Sequence, residues 1–178
     1  SYLFKNCATL VSVSAFNTSS VVNMQGMFYH CSWLTSIQYL ETSSVTDMSY
    51  MFDHCSKLPS VPHFKTASVE NMSYMFATCT KLTSIPQFNT ESVENMSCMF
   101  MSSEYLTTVP EFTTQSVTSM AYMFAYCERL RRIPLFNTKN VIDMKFMFNK
   151  CHSLQEIPLF DVTAVTDVSD MYYDCTIA

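Results

Sequence analysis

The chain has 178 residues, of which 48% are hydrophobic and only 14% are charged, a composition that supports one domain with an ample core. Its formal net charge of -5 and pI of about 5.2 predict no basic surface for phosphate backbones, so nucleic-acid binding is not expected. No run of about 18 apolar residues occurs, so the sequence predicts no membrane-spanning helix, and it contains no recognisable signal peptide.

A 24-residue period, interrupted by no insertion, organises the sequence. Leucine, phenylalanine, cysteine and methionine each recur at this spacing, and thirteen of the fourteen methionines fall in two columns. The cysteine column comprises Cys7, Cys31, Cys55, Cys79, Cys127, Cys151 and Cys175, with Ser103 where one further cysteine is expected. Such a period is typical of solenoids, in which each rung contacts only its neighbours.

The first part of each repeat is predicted to form a short helix. The repeat is clearest in residues 64–87, which follow the pattern F-N-T-x-S-V-x-x-M-x-x-M-F-x-x-C-x-x-L-x-x-I-P-x except at Lys65. Apolar residues recur at i, i+3, i+6, i+7 and i+10, the spacing of one helical face. They are Val69, Met72, Met75, Phe76 and Cys79. Ser68 stands at the expected N-cap and Asn71 three residues later, which resembles a capping box.

A brief strand is predicted after the helix, at residues 82–85 and their equivalents. Pro86 and its equivalents then end the strand, because proline has no N–H for the ladder. The sequence therefore predicts one α/β solenoid domain of the leucine-rich-repeat kind over residues 1–178, with about seven stacked 24-residue rungs, each a short strand plus a short helix. Because the pattern is cut at both ends, we expect a segment of a longer array.

The cysteine column predicts buried, reduced thiols. Stacked rungs place equivalent Cα atoms about 5 Å apart, within the range for a disulfide. Equivalent side chains point the same way, however, so their Cβ atoms stay beyond the roughly 3.5–4.5 Å that a disulfide needs. Cys98 lies outside the column and is expected to be the most accessible cysteine.

The segment M-F-x-x-C-x-x-L-x-x-I resembles BspA-like leucine-rich repeats, and the longer F-N-T-x-S-V-x-x-M-x-x-M-F-x-x-C form resembles a repeat abundant in mycoplasma surface lipoproteins. Residues that carry the match include Cys79, Leu82, Ile85, Pro86, Phe88, Asn89, Thr90, Ser92, Val93, Met96, Met99 and Phe100. The resemblance extends over essentially the whole chain. It implies a leucine-rich-repeat-like solenoid on a cell surface, used for adhesion or partner binding, with no catalytic residues.

The residue before the repeat cysteine departs from that family pattern, which usually has glycine there. The residues found instead are His30, His54, Thr78, Tyr126 and Lys150. These side chains either accept the backbone turn that glycine would make or continue the helix by one residue.

Neither catalysis nor a cofactor is predicted. One glycine cannot build a phosphate-binding loop, and no serine or cysteine has a recognisable base beside it. His30 and His54 are equivalent in adjacent repeats with Asp53 nearby, yet zinc sites need three or four convergent ligands, so no metal is expected. The threonine column from Thr18 to Thr138 is interpreted as bonding the neighbouring backbone, rather than as an ice-binding surface.

Function is expected in the exposed columns, which vary between repeats. Tyr29 and Trp33 are four residues apart on the predicted helix, so both are expected to project from one side as an aromatic binding pair. The alternative is that Trp33 only covers the edge of a rung. The equivalent residues one repeat later, Asp53 and Lys57, are interpreted as a solvated ion pair.

The strand face is flat and weakly polar except for Arg131 and Arg132, which with Tyr105 complete the candidate binding residues. A face without a deep pocket suits a protein or an extended polymer better than a small substrate. We expect a non-enzymatic module, on the cell surface or secreted, that binds a protein or glycan of another surface without entering a membrane. The alternative is a structural spacer or self-assembling scaffold whose partners are neighbouring copies of the array.

Overall fold

The structure is a computed structural model that describes residues 2–175 as one continuous stack of 24-residue rungs. Parallel bridges join residues 24 positions apart in successive rungs. The main series runs through Asn23, Asp47, Asn71, Asn95, Ser119, Asp143 and Asp167. The register therefore does not slip, and each residue lies beside its own equivalents in the neighbouring rungs.

The helix expected in each rung is absent from residues 2–175, and a run of turns takes its place. From Met48 to His54, every second backbone N–H donates to a carbonyl oxygen of the next rung at 2.9–3.0 Å. Of the N–H groups between them, those of Met51 and Asp53 close turns onto carbonyls three residues back at 3.2 Å, and that of Ser49 donates to Oδ1 of Asp47 at 2.8 Å. A helix would bond all these groups within the rung. The helix prediction is wrong because consecutive three-residue turns repeat their apolar positions at nearly the helical spacing.

No apolar helix long enough to cross a membrane occurs in the part of the chain that the structure describes.

Each run of turns contains two residues in the left-handed backbone region, and they prevent helical geometry from continuing. In the rung just described they are Tyr50, with φ of 57°, and His54, with φ of 62°. The second position is the one before the repeat cysteine, and φ lies between 55° and 63° also at His30, Thr78, Tyr126 and Lys150. These side chains therefore accept the turn that glycine would make. Left-handed geometry costs about 1–2 kcal/mol per residue, which the inter-rung bonds and packing offset.

The serine and asparagine of the expected capping box bond elsewhere. Oγ of Ser68 donates to the carbonyl oxygen of Ser43 in the previous rung at 3.2 Å. Oδ1 of Asn71 accepts the backbone N–H of Ser73 at 3.0 Å, which closes a local turn. The cap interpretation is wrong since there is no helix to cap, and the serine instead ties two rungs together.

The threonine column is buried and bonds the neighbouring backbone, as expected. Oγ1 of Thr66 donates to the carbonyl oxygen of Asn89 in the next rung at 2.7 Å. Equivalent bonds start from Thr18, Thr42, Thr90, Thr114 and Thr138. Threonine hydroxyls thus reach forward along the stack and serine hydroxyls reach back.

Strand pairing occurs at the start of the stack, where β1 (Ser12–Val13) and β2 (Ser36–Ile37) are parallel. The N–H of Gln38 contributes a bond to the carbonyl oxygen of Val13 at 3.2 Å. In the later repeats that position is proline, which has no N–H to donate. Within residues 2–175 the strands predicted there are therefore reduced to single contacts, such as the bridge of Thr108 with Arg132.

Two ladders of phenylalanine rings fill the interior of the stack. In one, Phe76 stacks on Phe52 and Phe100 with centroids 5.7 Å away on either side and rings within 10° of parallel. In the other, Phe64 stacks on Phe88 at 6.1 Å. The ladders also touch each other, since the centroids of Phe76 and Phe88 are 6.3 Å apart. The apolar columns predicted from the sequence are thus the core.

The buried cysteines of the repeat column are hydrogen-bond donors and free thiols. Sγ of Cys79 donates to the carbonyl oxygen of Phe52 in the previous rung at 3.1 Å. The same bond is made by Cys31, Cys55, Cys127 and Cys151. Ser103 makes it with a hydroxyl, donating to Phe76 at 2.7 Å, so this position requires a small side chain that can donate.

The expectation that Cys98 is the most accessible cysteine is wrong. Cys98 is only 4% exposed, whereas Cys7 is exposed to solvent. Cys98 stands in a column of left-handed residues whose other members include Tyr74, and burial raises the pKa of its thiol despite a hydrogen bond with that tyrosine. A position outside the repeat column is therefore not a position outside the core.

Replacing Phe76 by alanine is expected to lower the free energy of unfolding by about 3–5 kcal/mol, because it opens a cavity where the two ladders meet. Urea unfolding of the purified variant measures this change. Leu135→Ala is the matched control, since Leu135 is 68% exposed and its loss should cost no more than about 0.5 kcal/mol. Equal losses in the two variants would contradict the ladders as the main support of the stack.

Native alkylation with iodoacetamide is expected to modify Cys7 and to spare the buried thiols. Burial raises the pKa of Cys31 to about 11 and that of Cys79 further, so neither thiolate nor access is available. Mass spectrometry before and after denaturation measures the labelling, with Cys7 as the internal positive control. A disulfide between adjacent rungs, or native labelling of Cys79, would refute the packing described here.

Candidate functional site

The residues before the repeat leucines of five successive rungs form a column that we call the cation–aromatic ladder. Its members are Trp33, Lys57, Lys81, Tyr105 and Arg129. Nζ of Lys57 lies 3.2 Å from the ring centroid of Trp33. Nζ of Lys81 and the guanidinium carbon of Arg129 lie 4.2 and 3.9 Å from the ring centroid of Tyr105. Since these two cations come from the rungs before and after it, Tyr105 is held between them.

A tight turn points each ladder residue to solvent. In the first rung of the ladder, the N–H of Leu34 donates to the carbonyl oxygen of Cys31 at 3.0 Å. Both of these residues are buried in the core, so the turn between them directs the preceding side chain outward, and Trp33 is 53% exposed. The pattern C-x-x-L thereby places one exposed residue per rung at the same position.

The sequence prediction includes Trp33 and Tyr105 but misses the three cations of the ladder. It pairs Lys57 with Asp53, and that interpretation is wrong. Asp53 is only 4% exposed, and its carboxylate accepts a hydrogen bond from Nδ1 of His54 at 2.6 Å. The signal that would have found the ladder is the alternation of aromatic and cationic residues at 24-residue spacing within this single column.

Tyr29 belongs to a different cluster from Trp33. Its ring centroid lies 6.4 Å from that of Tyr2, 6.3 Å from that of Tyr50 and 4.4 Å from that of His30. The ring contacts of Tyr29 do not include Trp33, over which Nζ of Lys57 lies instead. The helix on which the two rings were expected to share a side is absent, so the two residues have different neighbours, and their use by one partner stays a prediction.

The imidazoles of His30 and His54 stack beside Tyr29 with centroids 4.0 Å apart. Burial, with repulsion from His54, lowers the pKa of His30 below its ordinary value of 6.5. Burial raises the pKa of the Asp53 carboxyl, against the opposing effect of His54. Within residues 2–175, no three His, Cys, Asp or Glu side chains are grouped to hold a metal ion.

The arginine pair predicted from the sequence lies in a shallow polar groove on the strand face. The groove has a volume of about 500 Å³ and is lined by Thr107, Thr108, Arg131, Arg132 and Gln155. The backbone N–H of Arg131 donates to the carbonyl oxygen of Thr107 at 3.0 Å, and Nε of Arg132 donates to Oε1 of Gln155 at 3.4 Å. Bonds between three successive rungs thus hold the groove together.

The ladder and the groove form what we call the basic face. Its cations are Lys57, Lys81, Arg129, Arg131 and Arg132, none of which is ion-paired with a carboxylate of residues 2–175. The repeat segment between the phenylalanine and the first methionine is acidic instead, with Glu41, Asp47, Glu70, Glu91, Glu94, Asp143, Asp161 and Asp167. Two lysines in or beside that segment are ion-paired, Lys65 with Glu41 at 3.0 Å and Lys145 with Asp143 at 3.5 Å. The chain is therefore acidic as a whole but has one basic face, so the expectation that it has no basic surface is wrong.

The family model described as "Mycoplasma protein of unknown function, DUF285" matches residues 1–109 and 101–177. The chain belongs to this family. The resemblance to the mycoplasma-type repeat is thereby confirmed. No curated protein sequence matches the chain.

Two solved leucine-rich repeat proteins share the fold. A protein of T. pallidum superposes with a TM-score of 0.67 at 22% identity, over 88% of this chain and 70% of the other. A protein of Eubacterium ventriosum superposes with a TM-score of 0.69 at 17% identity, over 95% of this chain and 44% of the other. At these identities the likeness concerns the fold, which is a leucine-rich-repeat solenoid as expected.

Trp33→Ala and Tyr29→Ala are expected to differ in their effect on stability. Trp33 loses a cation–π contact at an exposed site, worth about 0.5–1 kcal/mol. Tyr29 loses contacts with at least two tyrosine rings, worth about 1–3 kcal/mol in total. Chemical unfolding of the two single variants measures the difference. A larger loss for Trp33→Ala would mean that Trp33 mainly covers the rung edge and is not available to a partner.

Proposed function

We propose that this chain is a non-catalytic binding module, on the cell surface or secreted, that engages a protein or glycan of another surface through the basic face. The observation that carries the proposal is the group of cations without carboxylate partners, in a chain whose formal net charge is -5. Charges that are not compensated within the fold steer and orient an oppositely charged partner.

The distribution of sequence variation supports a binding role for this face. The core columns repeat nearly the same residue in every rung, because each must pack on its own copies. The column of the ladder instead changes from tryptophan to lysine, tyrosine and arginine. A rigid stack with variable exposed positions is how repeat proteins present a surface to a partner.

The chemistry of the basic face supports binding rather than catalysis. Its side chains are ammonium and guanidinium groups, hydroxyls, one amide and two aromatic rings. The groove holds neither a nucleophile with an adjacent base nor a pair of carboxylates. Display on a surface is supported by the resemblance of the repeat to those of mycoplasma surface lipoproteins.

An array of extracellular-matrix proteins and polysaccharides tests the proposal. The wild-type chain is expected to bind at least one member, and the triple variant Lys57→Gln, Lys81→Gln, Arg129→Gln is expected to lose at least about tenfold in affinity, since it removes three uncompensated charges. The double variant Lys139→Gln, Lys145→Gln is the control, because it removes cations from the acidic side of the rung. Full binding by the triple variant would refute the assignment to the basic face.

A structural scaffold is the second candidate, and the complementary charge of two faces favours it. The acidic residues of one copy and the cations of another both recur at multiples of the same 24-residue period, so the two faces can be brought into register. Such a contact is heterologous and would build open assemblies. Light scattering over a range of concentrations at low salt separates the candidates: a clean monomer supports the binding module, and growth with concentration that high salt reverses supports the scaffold.

A further inference from the structure

The groove at the arginine pair offers polar groups to an occupant and no apolar pocket. Its lining side chains are two threonine hydroxyls, two guanidinium groups and one amide. The hydroxyl of Thr107 donates to no group of residues 2–175, and that of Thr108 bonds only weakly to the carbonyl oxygen of Val109 at 3.4 Å. Protein partners anchor mainly by aromatic or aliphatic side chains in desolvated apolar pockets. The groove lacks such a pocket and instead suits an occupant rich in hydroxyl groups.

The arginine pair specifies the charge of that occupant. Arg131 and Arg132 are both exposed, and neither is ion-paired with a carboxylate within residues 2–175. Nε of Arg132 bonds Gln155 at 3.4 Å, which leaves its terminal N–H groups for an external acceptor. Guanidinium groups bind carboxylate and sulfate oxygens through paired hydrogen bonds. The groove therefore selects an anionic group.

Acidic residues flank the basic face without neutralising it. Glu104 and Glu128 precede Tyr105 and Arg129 in the chain, and Glu156 is the equivalent of Arg132 one rung later. None of the three forms an ion pair with a cation of the face within residues 2–175. The carboxylate of Glu156 therefore disfavours an anionic occupant at the rung that follows the arginines.

The ladder extends the recognition surface over several rungs. Successive rungs of the stack are about 4.8 Å apart. Lys57 and Lys81 lie in adjacent rungs, and Arg129 lies two rungs after Lys81, with the rung of Tyr105 between them. The ring of Tyr105 is held between two cations, and one cation lies over the ring of Trp33, so the ladder offers a sugar less aromatic surface than cationic surface. The accessible chemistry is a row of cations, which fits a chain with acidic groups along its length.

We propose that the basic face binds an anionic polysaccharide, with an acidic group of the sugar chain held by Arg131 and Arg132 and neighbouring sugar hydroxyls bonded to Thr107 and Thr108. The inference rests on the proposed function and names the class of its partner. The polysaccharide lies along the stack, and the cations of the ladder contact its further acidic groups.

Binding of fluorescent heparin and alginate to the whole chain, measured by anisotropy at low and high salt, tests this inference. Both probes are expected to bind, and neutral dextran is not. The variant Arg131→Gln, Arg132→Gln is expected to bind at least about tenfold more weakly, because two charge-assisted contacts are lost. The control Lys139→Gln, Lys145→Gln should bind like the wild type. Circular dichroism and melting verify that every variant remains folded.

Thr107→Val distinguishes a sugar from a general polyanion. The change keeps the shape and charge of the groove but removes a hydroxyl, so it should weaken heparin or alginate binding and leave binding of poly-L-glutamate unchanged. The polysaccharide would be overturned if poly-L-glutamate bound as tightly as the sugars and Thr107→Val changed the affinity for neither. That result would point to an acidic protein partner. The chain could fail to bind any polyanion and still bind a member of the extracellular-matrix array through Lys57, Lys81 and Arg129. That result would overturn this inference and leave the proposed function standing.

Discussion

Hydrogen bonds between rungs are the constraint on which the rest of this structure depends. Every second N–H in the turn run bonds to the next rung, and the bridge series from Asn23 to Asp167 holds the same register throughout. One extra residue anywhere would shift every later column, so the period tolerates no insertion. The same bonds offset the cost of the left-handed residues in each rung, which an isolated turn run would not sustain.

Because the register is constant, each side chain must pack against the equivalent side chains of the rungs before and after it. Phe76 needs a neighbour that stacks on both faces of its ring, and Phe52 and Phe100 meet that need. Cys79 and Ser103 need a small donor, because each reaches the carbonyl oxygen of a phenylalanine one rung earlier. The uniform columns of the core follow from this requirement. Burial alone would have accepted a wider choice of apolar residues.

The same register gives the surface its electrostatic character. Unlike residues can follow one another in an exposed column, and in the cation–aromatic ladder each ring is contacted by a cation of a neighbouring rung. Like charges in adjacent rungs would repel one another, yet Lys57 and Lys81 are adjacent, and the rings of Trp33 and Tyr105 draw them apart. The cations of the basic face have no carboxylate partner within residues 2–175, whereas Lys65 and Lys145 are ion-paired with Glu41 and Asp143.

The sequence by itself determined the period, the core and the absence of disulfides in the column, because these depend only on which residues recur every 24 positions. It also placed Trp33, Tyr105, Arg131 and Arg132 on the surface, where the structure has them at least partly exposed. It did not determine the backbone between the columns. Val69, Met72 and Met75 recur at a spacing that helices and consecutive turns share, and only the partner of each N–H distinguishes the two.

Only the tertiary structure decided which side chains meet. Lys57 contacts Trp33, 24 residues away, and Asp53 bonds its neighbour His54, whereas local spacing had paired Asp53 with Lys57. In a stacked solenoid the nearest side chain belongs to the next rung, so contacts along a column replace contacts along the chain. The cation–aromatic ladder and the groove around Arg131 exist for that reason, because their members come from different rungs and only stacking brings them together.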